Sequence, residues 1–397
     1  GSDTPRSIQT APGPVDAEFT APPSKSVTQR ALILSALASG TSTLVNPLDA
    51  DDTRTLVHAL ETLGFTCRCA PGQWEVDGQG GVIPAQEATV DAGEAGTVAR
   101  FVTALVGLGR GRFVVDGSTR LRERPIRPLV EGLQGLGVEA GFLGRDGCLP
   151  VEILAKGLNG GNARIGGDKS SQFLSALLLV APKARSPIRV EPAGPQASTP
   201  YIDLTVKVME AFGAPVTSRG PLAFDVQAPR EFSGIRYEVE GDYSSAGYLF
   251  AAAAITGGRV RVKNLKRESV QADRAILDVL REMGCRVALE ESACTLVGSA
   301  LSAFRRDLSA MPDAVPALAV TALFAKGTTR LEGLSTLRLK ESDRLSALAA
   351  DAERLEHLDE GALVGQAVGL QRGRADLVEA AALDRVQVDP LVLDPER

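Results

Sequence analysis

The sequence predicts an α/β protein built from a repeated helix–strand unit, and two observations support this prediction. An Ala/Leu-rich apolar helix, a helix stop and a short alternating strand recur about every 70 residues. The chain of 397 residues also exceeds the length that one hydrophobic core usually supports. We therefore expect either two domains or one array of repeats, with helices packed against sheets.

The first helix of each unit is apolar on nearly every face, which predicts that it is buried. Its stop is a glycine in most copies and Ala181-Pro182 in the third, which suffices because proline cannot continue a helix. Five copies of this helix with its following strand can be read, at residues 30–44, 100–115, 172–190, 246–262 and 320–331.

A second helix follows in each unit, and its single polar face predicts an external position. It ends on a glycine suited to the left-handed conformation just beyond a helix C-terminus. The four plain copies end at Leu63-Gly64, Leu136-Gly137, Phe212-Gly213 and Met283-Gly284. A strand is expected after each of these glycines, as at residues 284–289.

Composition excludes several classes of function. The net charge of -6 disfavours nucleic acid or an anionic membrane as a partner, and no apolar run approaches the roughly 18 residues of a membrane span. The five cysteines are odd in number and form no CxxC pairs, so we expect reduced thiols, a cytoplasmic protein and no metal site. The Pro-rich start to about residue 14 is expected to be a loose arm without a targeting signal.

Polar clusters precede or open the buried helices, where free N–H groups and a partial positive charge favour anions. Seven such clusters can be read, at residues 22–30, 95–100, 120–127, 167–173, 240–245, 311–316 and 339–345. Each one alone could be a helix cap or a solvated loop, and capping is the better interpretation at residues 240–245. Together they predict a single site for anionic ligands with acid and base groups.

These clusters also resemble the motifs of a known family. PPSKSVTQRAL, AGTVAR, RERPI, SSQFLSALLL, STPYIDLT, GDYSSAGYLFAAA, PDAVPALA and KGTTRL…LKESDRL stand in the order found in the EPSP synthases of the enolpyruvyl transferase family. The resemblance runs from about Phe19 to about Leu355. It implies two similar domains, each of three βαβαββ units around a pseudo-threefold axis, with the active site in the interdomain cleft.

The same resemblance predicts the domain boundaries. The chain is expected to cross near Pro23 and Tyr237, giving one domain at residues 24–236 and a second at residues 15–23 plus 237–397. The N-terminal strand would belong to the second domain. The last repeat looks abbreviated, with a remnant helix at residues 375–383 and a remnant strand at residues 386–390.

The resemblance implies transfer of the enolpyruvyl group of phosphoenolpyruvate to the 5-hydroxyl of shikimate 3-phosphate in aromatic amino acid biosynthesis. It implies that no metal is required and that glyphosate would occupy the phosphoenolpyruvate subsite. We also expect a monomer with no cofactor and no membrane or nucleic-acid partner. The shikimate 3-phosphate residues would be Lys25, Ser26, Arg30, Ser170, Ser171, Gln172, Ser198, Asp313 and Lys340. The phosphoenolpyruvate residues would be Lys25, Gly96, Arg124, Gln172 and Arg344. The catalytic residues would be Asp313 as base for the hydroxyl and Glu341, with Lys25, as proton donor.

Three departures from the family pattern keep alternatives open. Glu94 and Thr336 stand where many relatives carry Asn, and the C-terminal Asp-His-Arg and Lys-Ser/Thr-Phe-Pro motifs are not found after Leu355. A catalytically weak relative that only binds shikimate 3-phosphate is therefore one alternative. The sister enzyme acting on UDP-N-acetylglucosamine is another alternative. It has Lys-Asn at the first motif, where this chain has Lys25-Ser26, and it usually carries a cysteine in the arginine loop, whereas no cysteine lies between Val115 and Pro128 here.

Overall fold

The computed structural model describes residues 12–356 and 386–388. The helices of this part are α1 (Lys25–Leu37), α2 (Asp51–Thr62), α3 (Gly96–Val106), α4 (Arg127–Gly135), α5 (Gln172–Val180), α6 (Pro200–Ala211), α7 (Tyr243–Thr256), α8 (Ile276–Glu282), α9 (Val315–Ala322) and α10 (Arg344–Glu356). Short 3₁₀ turns precede some of them, as at Ala272–Ala275 and Pro312–Ala314.

The strands complete the repeated units. They are β1 (Asp16–Thr20), β2 (Ser39–Val45), β3 (Thr66–Ala70), β4 (Gln73–Gln79), β5 (Glu87–Asp91), β6 (Arg110–Asp116), β7 (Glu139–Phe142), β8 (Val151–Lys156), β9 (Gly161–Gly167), β10 (Ile188–Gln196), β11 (Thr217–Gly220), β12 (Ala223–Val226), β13 (Arg236–Glu238), β14 (Arg259–Lys263), β15 (Arg286–Leu289), β16 (Ala293–Val297), β17 (Arg305–Asp307), β18 (Thr329–Glu332) and β19 (Val386–Val388).

Four sheets share one arrangement, in which a parallel pair of strands continues into two antiparallel strands. Their strand orders are β13-β2-β4-β3, β5-β6-β8-β7, β9-β10-β12-β11 and β1-β14-β16-β15. The chain from β5 to β8, and again from β9 to β12, runs through a complete βαβαββ unit. The predicted α/β fold of repeated units is confirmed.

Two strands are exchanged between distant parts of the chain. The N-terminal β1 pairs in parallel with β14, Asp16 opposite Arg259, and β13 returns to pair in parallel with β2, Arg236 opposite Thr43. Each strand supplies the parallel partner that its sheet would otherwise lack. The expected return of the N-terminal strand to the region after residue 237 is therefore observed.

The last sheet, β17-β18-β19, is parallel throughout. Its third strand covers Val386–Val388, inside the remnant strand expected at residues 386–390. The remnant helix expected at residues 375–383 lies outside the described residues.

Burial separates the two kinds of helix as the sequence predicts. In α1 every residue from Val27 to Leu37 is buried, and α5 buries all but its first residue. The external α2 instead buries one stripe that includes Leu56 and Leu60. Two exceptions are Tyr248 on α7, which is 54% exposed because it faces the cavity described below, and Val320 on α9, which is 41% exposed.

The stop glycines adopt the conformation expected of them. Gly64, Gly137, Gly213 and Gly284 all have positive φ, between 77° and 112°. Each follows an external helix and turns the chain into the next strand or turn, because the left-handed region costs glycine no steric penalty.

The buried apolar residues of the described chain form two clusters. The first runs from Val27 to Val239, and the second contains Ala21 together with residues from Tyr243 to Leu345. The changeover lies close to both expected crossing points. The domain boundaries themselves, residues 24–236 and residues 15–23 plus 237–397, stay a prediction.

Candidate active site

A cavity of about 520 Å³ lies where the two core clusters meet. It is lined by side chains from the first cluster, on α1, α5 and α6, and from the second, on α7 and the segment 336–344. The sequence-predicted site residues that line it are Lys25, Ser26, Arg30, Arg124, Ser170, Ser171, Gln172, Ser198, Asp313, Lys340, Glu341 and Arg344.

The N-terminus of α1 brings a lysine to the cavity. Lys25 Nζ lies 2.9 Å from Asp52 Oδ2, while the Lys25 backbone N–H donates to Asp242 Oδ2 at 3.2 Å. Burial alone would lower the pKa of Lys25, but the Asp52 carboxylate outweighs it and raises that pKa. Lys25 is therefore held charged at the cavity wall.

Arg30, one turn further along α1, is almost fully buried. Its guanidinium donates to Thr205 Oγ1 at 2.8 Å and to the carbonyls of Ser26 and Tyr201 at 2.9 and 3.2 Å. Burial without a carboxylate partner lowers its pKa to about 10, which still leaves it charged near neutral pH. These contacts fix Ser26 and Tyr201 at the edge of the cavity.

Neutral donors gather at the N-terminus of α5. Ser170 Oγ accepts from the Gln172 backbone N–H at 3.2 Å, and Gln172 Nε2 donates to Thr97 Oγ1 at 3.0 Å. Ser198 approaches from the turn before α6 with φ of 52°, and its hydroxyl donates to the Ser309 carbonyl at 3.3 Å. Hydroxyls beside free helical N–H groups suit a phosphate.

Two buried arginines form the cationic end of the cavity. Arg100 donates to the carbonyls of Gly96 and Pro125, both at 2.9 Å, and Arg124 Nη1 lies 3.2 Å from Glu341 Oε1. Burial and then the charge of Arg124 lower the pKa of Arg100 to about 9. Arg124 has one carboxylate contact and Arg100 donates only to carbonyls in the described residues, which leaves this end of the cavity positive, as an anionic ligand requires.

Gly96, one of the residues that the resemblance assigns to phosphoenolpyruvate, packs against two arginine side chains. Gly96 is not among the cavity-lining residues of the described chain. A Cβ there would lie 2.5 Å from Arg100 Nη1 and 2.6 Å from Arg124 Nη1. The space freed by the missing side chain is thus filled by the two guanidinium groups, and Gly96 acts on the cavity through them.

Asp313 is the most heavily contacted carboxylate of the site. Its Oδ1 accepts from Arg344 Nη1 at 2.7 Å and from Lys340 Nζ at 3.2 Å, and its Oδ2 accepts from the Tyr201 hydroxyl at 2.8 Å. Burial would raise the pKa of Asp313, but the two cations hold it well below its usual range. The carboxylate is therefore ionised and able to accept a proton.

Glu341 lies between two arginines. Its Oε1 contacts Arg124 and its Oε2 contacts Arg344 Nη2, each at 3.2 Å. Although burial opposes it, a backbone hydrogen bond and these cations lower the pKa of Glu341. A proton donor needs the opposite shift, so the charge around Glu341 must change before it can act as an acid.

Comparison with known proteins agrees with this geometry. The sequence profile of the family described as EPSP synthase (3-phosphoshikimate 1-carboxyvinyltransferase) matches residues 9–360. The chain belongs to the EPSP synthase family. It is 42% identical over 352 residues to a Shewanella pealeana protein named 3-phosphoshikimate 1-carboxyvinyltransferase, covering 87% of this chain and 83% of that protein.

Further relatives come from distant organisms. A Methanoculleus marisnigri protein of the same name is 43% identical over 345 residues, covering 86% of this chain and 82% of that protein. A solved structure of EPSP synthase from Acinetobacter baumannii superposes with a TM-score of 0.72 at 24% identity, covering 87% of this chain and 80% of that chain. At this identity the likeness to the solved structure establishes the fold.

The fold brings to the site further residues that the EPSP synthase motifs did not assign to a substrate or to catalysis. Tyr201, Asp52, Thr97 and Arg100 line the cavity, and Asp273 contacts the Tyr201 hydroxyl from outside it. Tyr201 lies inside the quoted STPYIDLT motif, so its presence was a usable signal. Asp273 lies in none of the quoted motifs, and only the folded chain places it beside Tyr201.

Two departures from the EPSP synthase pattern, Thr336 and Glu94, lie within the described residues, and of these two Thr336 lines the cavity. Thr336 lines the cavity at 9% exposure, and its hydroxyl has no partner in the described residues. Glu94 is exposed and does not line the cavity. The C-terminal motifs that the sequence lacks would fall in a segment that is largely outside the described residues.

Residues 12–356 and 386–388 carry no side-chain cluster suited to a metal ion, since no group of three or more His, Cys, Asp or Glu side chains there could hold one. All five cysteines are free thiols. In the same part of the chain, no helix has the length and hydropathy of a membrane span.

Proposed function

We propose that this chain transfers the enolpyruvyl group of phosphoenolpyruvate to the 5-hydroxyl of shikimate 3-phosphate and releases phosphate. The observation that carries the proposal is the pairing of an ionised, partly exposed Asp313 with a cavity whose two ends suit two different anions. One end offers hydroxyls and helical N–H groups, and the other offers arginines. Membership of the EPSP synthase family supports the same reaction.

Shikimate 3-phosphate binds at the neutral end. Its phosphate takes hydroxyl donors from Ser170, Ser171 and Ser198, with Lys25 as a nearby cation. Lys340 and Asp313 hold the hydroxyl groups of its ring. Ser26, Arg30 and Gln172 complete this subsite, Arg30 through its buried contacts to Ser26 and Tyr201. Hydroxyl donors hold a phosphate without the desolvation cost of further buried cations.

Phosphoenolpyruvate binds at the cationic end, where Arg124 and Arg344 clamp its carboxylate and phosphate. Lys25 and Gln172 contribute from α1 and α5. Arg-carboxylate and Arg-phosphate pairs can be bidentate, which fixes orientation as well as charge. Gly96 belongs to this subsite because a side chain there would displace Arg124.

Asp313 removes the proton of the 5-hydroxyl as its oxygen attacks C2 of phosphoenolpyruvate, while C3 receives a proton from Glu341 or Lys25. Phosphate then leaves from C2, and loss of a proton from the new methyl group restores the double bond. Phosphoenolpyruvate takes over Arg124 and Arg344 and brings negative charge next to Glu341. Both effects raise the pKa of Glu341 toward the value that a proton donor needs.

The cellular location and the oligomeric state of the enzyme are also proposals. Free cysteines support a cytoplasmic location, since oxidising compartments favour disulfides. A monomeric enzyme is part of the same proposal. Size-exclusion chromatography with light scattering tests the monomer directly.

Phosphate release by the purified protein tests the reaction. We expect release only when both phosphoenolpyruvate and shikimate 3-phosphate are present. Each substrate alone and phosphoenolpyruvate with UDP-N-acetylglucosamine serve as controls. Release with the nucleotide sugar would favour the sister reaction, and binding of shikimate 3-phosphate without any release would favour the binding-only alternative.

A further inference from the structure

A second buried carboxyl group lies behind the proposed base. Asp273, in the 3₁₀ turn Ala272–Ala275 before α8, is 2% exposed. Its Oδ2 lies 3.1 Å from the Tyr201 hydroxyl and in hydrogen-bond contact with the Ser244 hydroxyl, while its Oδ1 has no partner in the described residues. No step of the reaction proposed above uses this group.

The Tyr201 hydroxyl joins Asp273 to Asp313. It lies 2.8 Å from Asp313 Oδ2 and 3.1 Å from Asp273 Oδ2, but it carries a single hydrogen. If both carboxyl groups were ionised, at least one of these close contacts would set oxygen against oxygen without a full hydrogen bond. A proton on Asp273 Oδ2 removes the conflict, because Asp273 then donates to Tyr201 and Tyr201 donates to Asp313.

The charges around the two groups decide which one holds that proton. Lys340 and Arg344 both contact Asp313 and keep it ionised. The titratable groups facing Asp273 in the described chain are Asp313 from the adjoining 3₁₀ turn, Asp242 at the start of α7, Tyr248 on α7 and Tyr201 on α6, all of which are acidic or neutral. Burial and then the Asp313 charge raise the pKa of Asp273 to about 7.

The Asp273 oxygen without a hydrogen-bond partner in the described chain also favours the protonated, neutral form. A buried carboxylate oxygen without a donor costs far more than the carbonyl oxygen of a neutral acid. Asp273 Oδ1 has no donor in the described chain, so the neutral form fits its surroundings better.

We propose that Asp273 is a positioning residue whose neutral carboxyl group donates to Tyr201 and thereby orients Asp313 toward the substrate hydroxyl. This inference rests on the proposed enolpyruvyl transfer and deepens it. Asp273 does not line the cavity, so its effect reaches the substrate through Tyr201 and Asp313.

Two substitutions separate positioning from simple packing. Asp273→Asn keeps the shape, and its amide can donate one hydrogen to Tyr201 and the other to Ser244. We expect its kcat below neutral pH to stay within about threefold of wild type. Asp273→Ala removes the donor, and we expect kcat to fall by about 10- to 100-fold, with the KM for shikimate 3-phosphate changed less than about threefold.

The pH profile gives a readout that packing alone would not move. The protonated form of Asp273 is the active one, so its contribution to wild-type kcat is present below its pKa and is lost as the pH rises through it. Asp273→Asn cannot ionise, and its kcat should not show that decline. Asp278→Asn is the matched control, because Asp278 is an exposed carboxylate on α8 paired with Arg281, and it should keep the wild-type profile.

The outcomes distinguish this inference from the function on which it rests. An Asp273→Ala enzyme with wild-type kcat, or an Asp273→Asn enzyme as impaired as Asp273→Ala while both fold, overturns the positioning role. If wild type releases no phosphate, the proposed function fails, and infrared spectroscopy then decides the protonation state. A protonated-carboxyl band below neutral pH that is missing in Asp273→Asn supports the neutral acid, and its absence from wild type overturns it.

Discussion

At the scale of single residues, the site depends on which charges share a contact. Asp313 is the only carboxylate of the described chain that contacts Lys340 and Arg344 together, and this pairing keeps it ionised although its side chain is only 29% exposed. Its place before a buried helix was visible in the sequence, whereas its three donors come from two distant segments, Tyr201 from α6 and Lys340 and Arg344 from residues 336–344. The same carboxylate thus compensates two cations and is available as a base.

Removing the charge of Asp313 should affect turnover more than binding. In Asp313→Asn we expect kcat to fall by about 10²- to 10⁴-fold, because a general base acts mainly in the transition state. The dissociation constant for shikimate 3-phosphate should change less than about tenfold. Phosphate release and isothermal calorimetry measure the two effects, with Asp278→Asn as control. Wild-type turnover in Asp313→Asn would remove this residue from the mechanism.

Gly96 shows how a residue outside the cavity can control it. Gly96→Ala places a methyl group within 2.7 Å of the Arg124 Cζ atom, so the guanidinium must move. Loss of one charge-assisted contact costs about 1.5 to 3 kcal/mol, and we therefore expect the KM for phosphoenolpyruvate to rise about tenfold or more. The KM for shikimate 3-phosphate should stay within about threefold, as steady-state kinetics can establish.

A matched control for Gly96→Ala is available on α4. A Cβ at Gly135 would meet nothing nearer than the Asn162 carbonyl oxygen at 3.9 Å. Gly135→Ala should leave both KM values unchanged. Equal losses of affinity for both substrates in Gly96→Ala would contradict the assignment of Gly96 to the phosphoenolpyruvate subsite.

At the scale of elements, a buried helix opening at the cavity and an external helix ending on a left-handed glycine recur along the chain. The apolar α1 and α5 carry their polar residues in the turns nearest their N-termini, apart from the buried Ser35 of α1. Each helix end therefore supplies unpaired N–H groups where a ligand can use them. The external helices support this arrangement from behind and end at Gly64, Gly137, Gly213 and Gly284.

Gly213 allows the contribution of this stop to be measured. Its φ is 77°, and a Cβ would lie no nearer than 3.8 Å from Phe232, so Gly213→Ala is penalised by backbone conformation without a clash. We expect the free energy of unfolding to fall by about 1 to 2 kcal/mol. Urea denaturation measures it, with Gly135→Ala as control because Gly135 has no positive φ. Unchanged stability of Gly213→Ala would contradict the role of the left-handed stop.

At the scale of the whole molecule, the two core clusters meet through the site itself. Arg120 lies in the polar cluster at residues 120–127. It donates to the carbonyls of Arg338, Lys340 and Glu341 at 3.2 to 3.3 Å. Arg124 reaches Glu341 beside it. Phosphoenolpyruvate binding therefore depends on both halves of the chain, whereas the three proposed phosphate-binding serines belong to the first half.

The sequence also predicts unequal affinities for the two substrates, because two cations expected at the phosphoenolpyruvate subsite are not found. The two further cations that the family supplies from its C-terminal motifs are not found in the sequence after Leu355. At about 1.5 to 3 kcal/mol per charge-assisted contact, two missing contacts weaken phosphoenolpyruvate by roughly two to four orders of magnitude. Calorimetry on a chain of these 397 residues should give micromolar-range shikimate 3-phosphate binding and weak phosphoenolpyruvate binding. Tight phosphoenolpyruvate binding would refute this argument.

The sequence by itself determined the repeated helix–strand units, the burial of the first helices and the residues that open them, because periodicity and helix-stop chemistry are local properties. Motifs in family order also identified the ligands that the cavity was expected to bind. The tertiary structure decided which side chains share a proton or a charge. Tyr201, Asp273 and Asp313 come from separate segments, so their contacts exist only after the two core clusters meet. The pKa of each carboxyl group depends on that meeting, because burial and neighbouring charges are set by the folded chain.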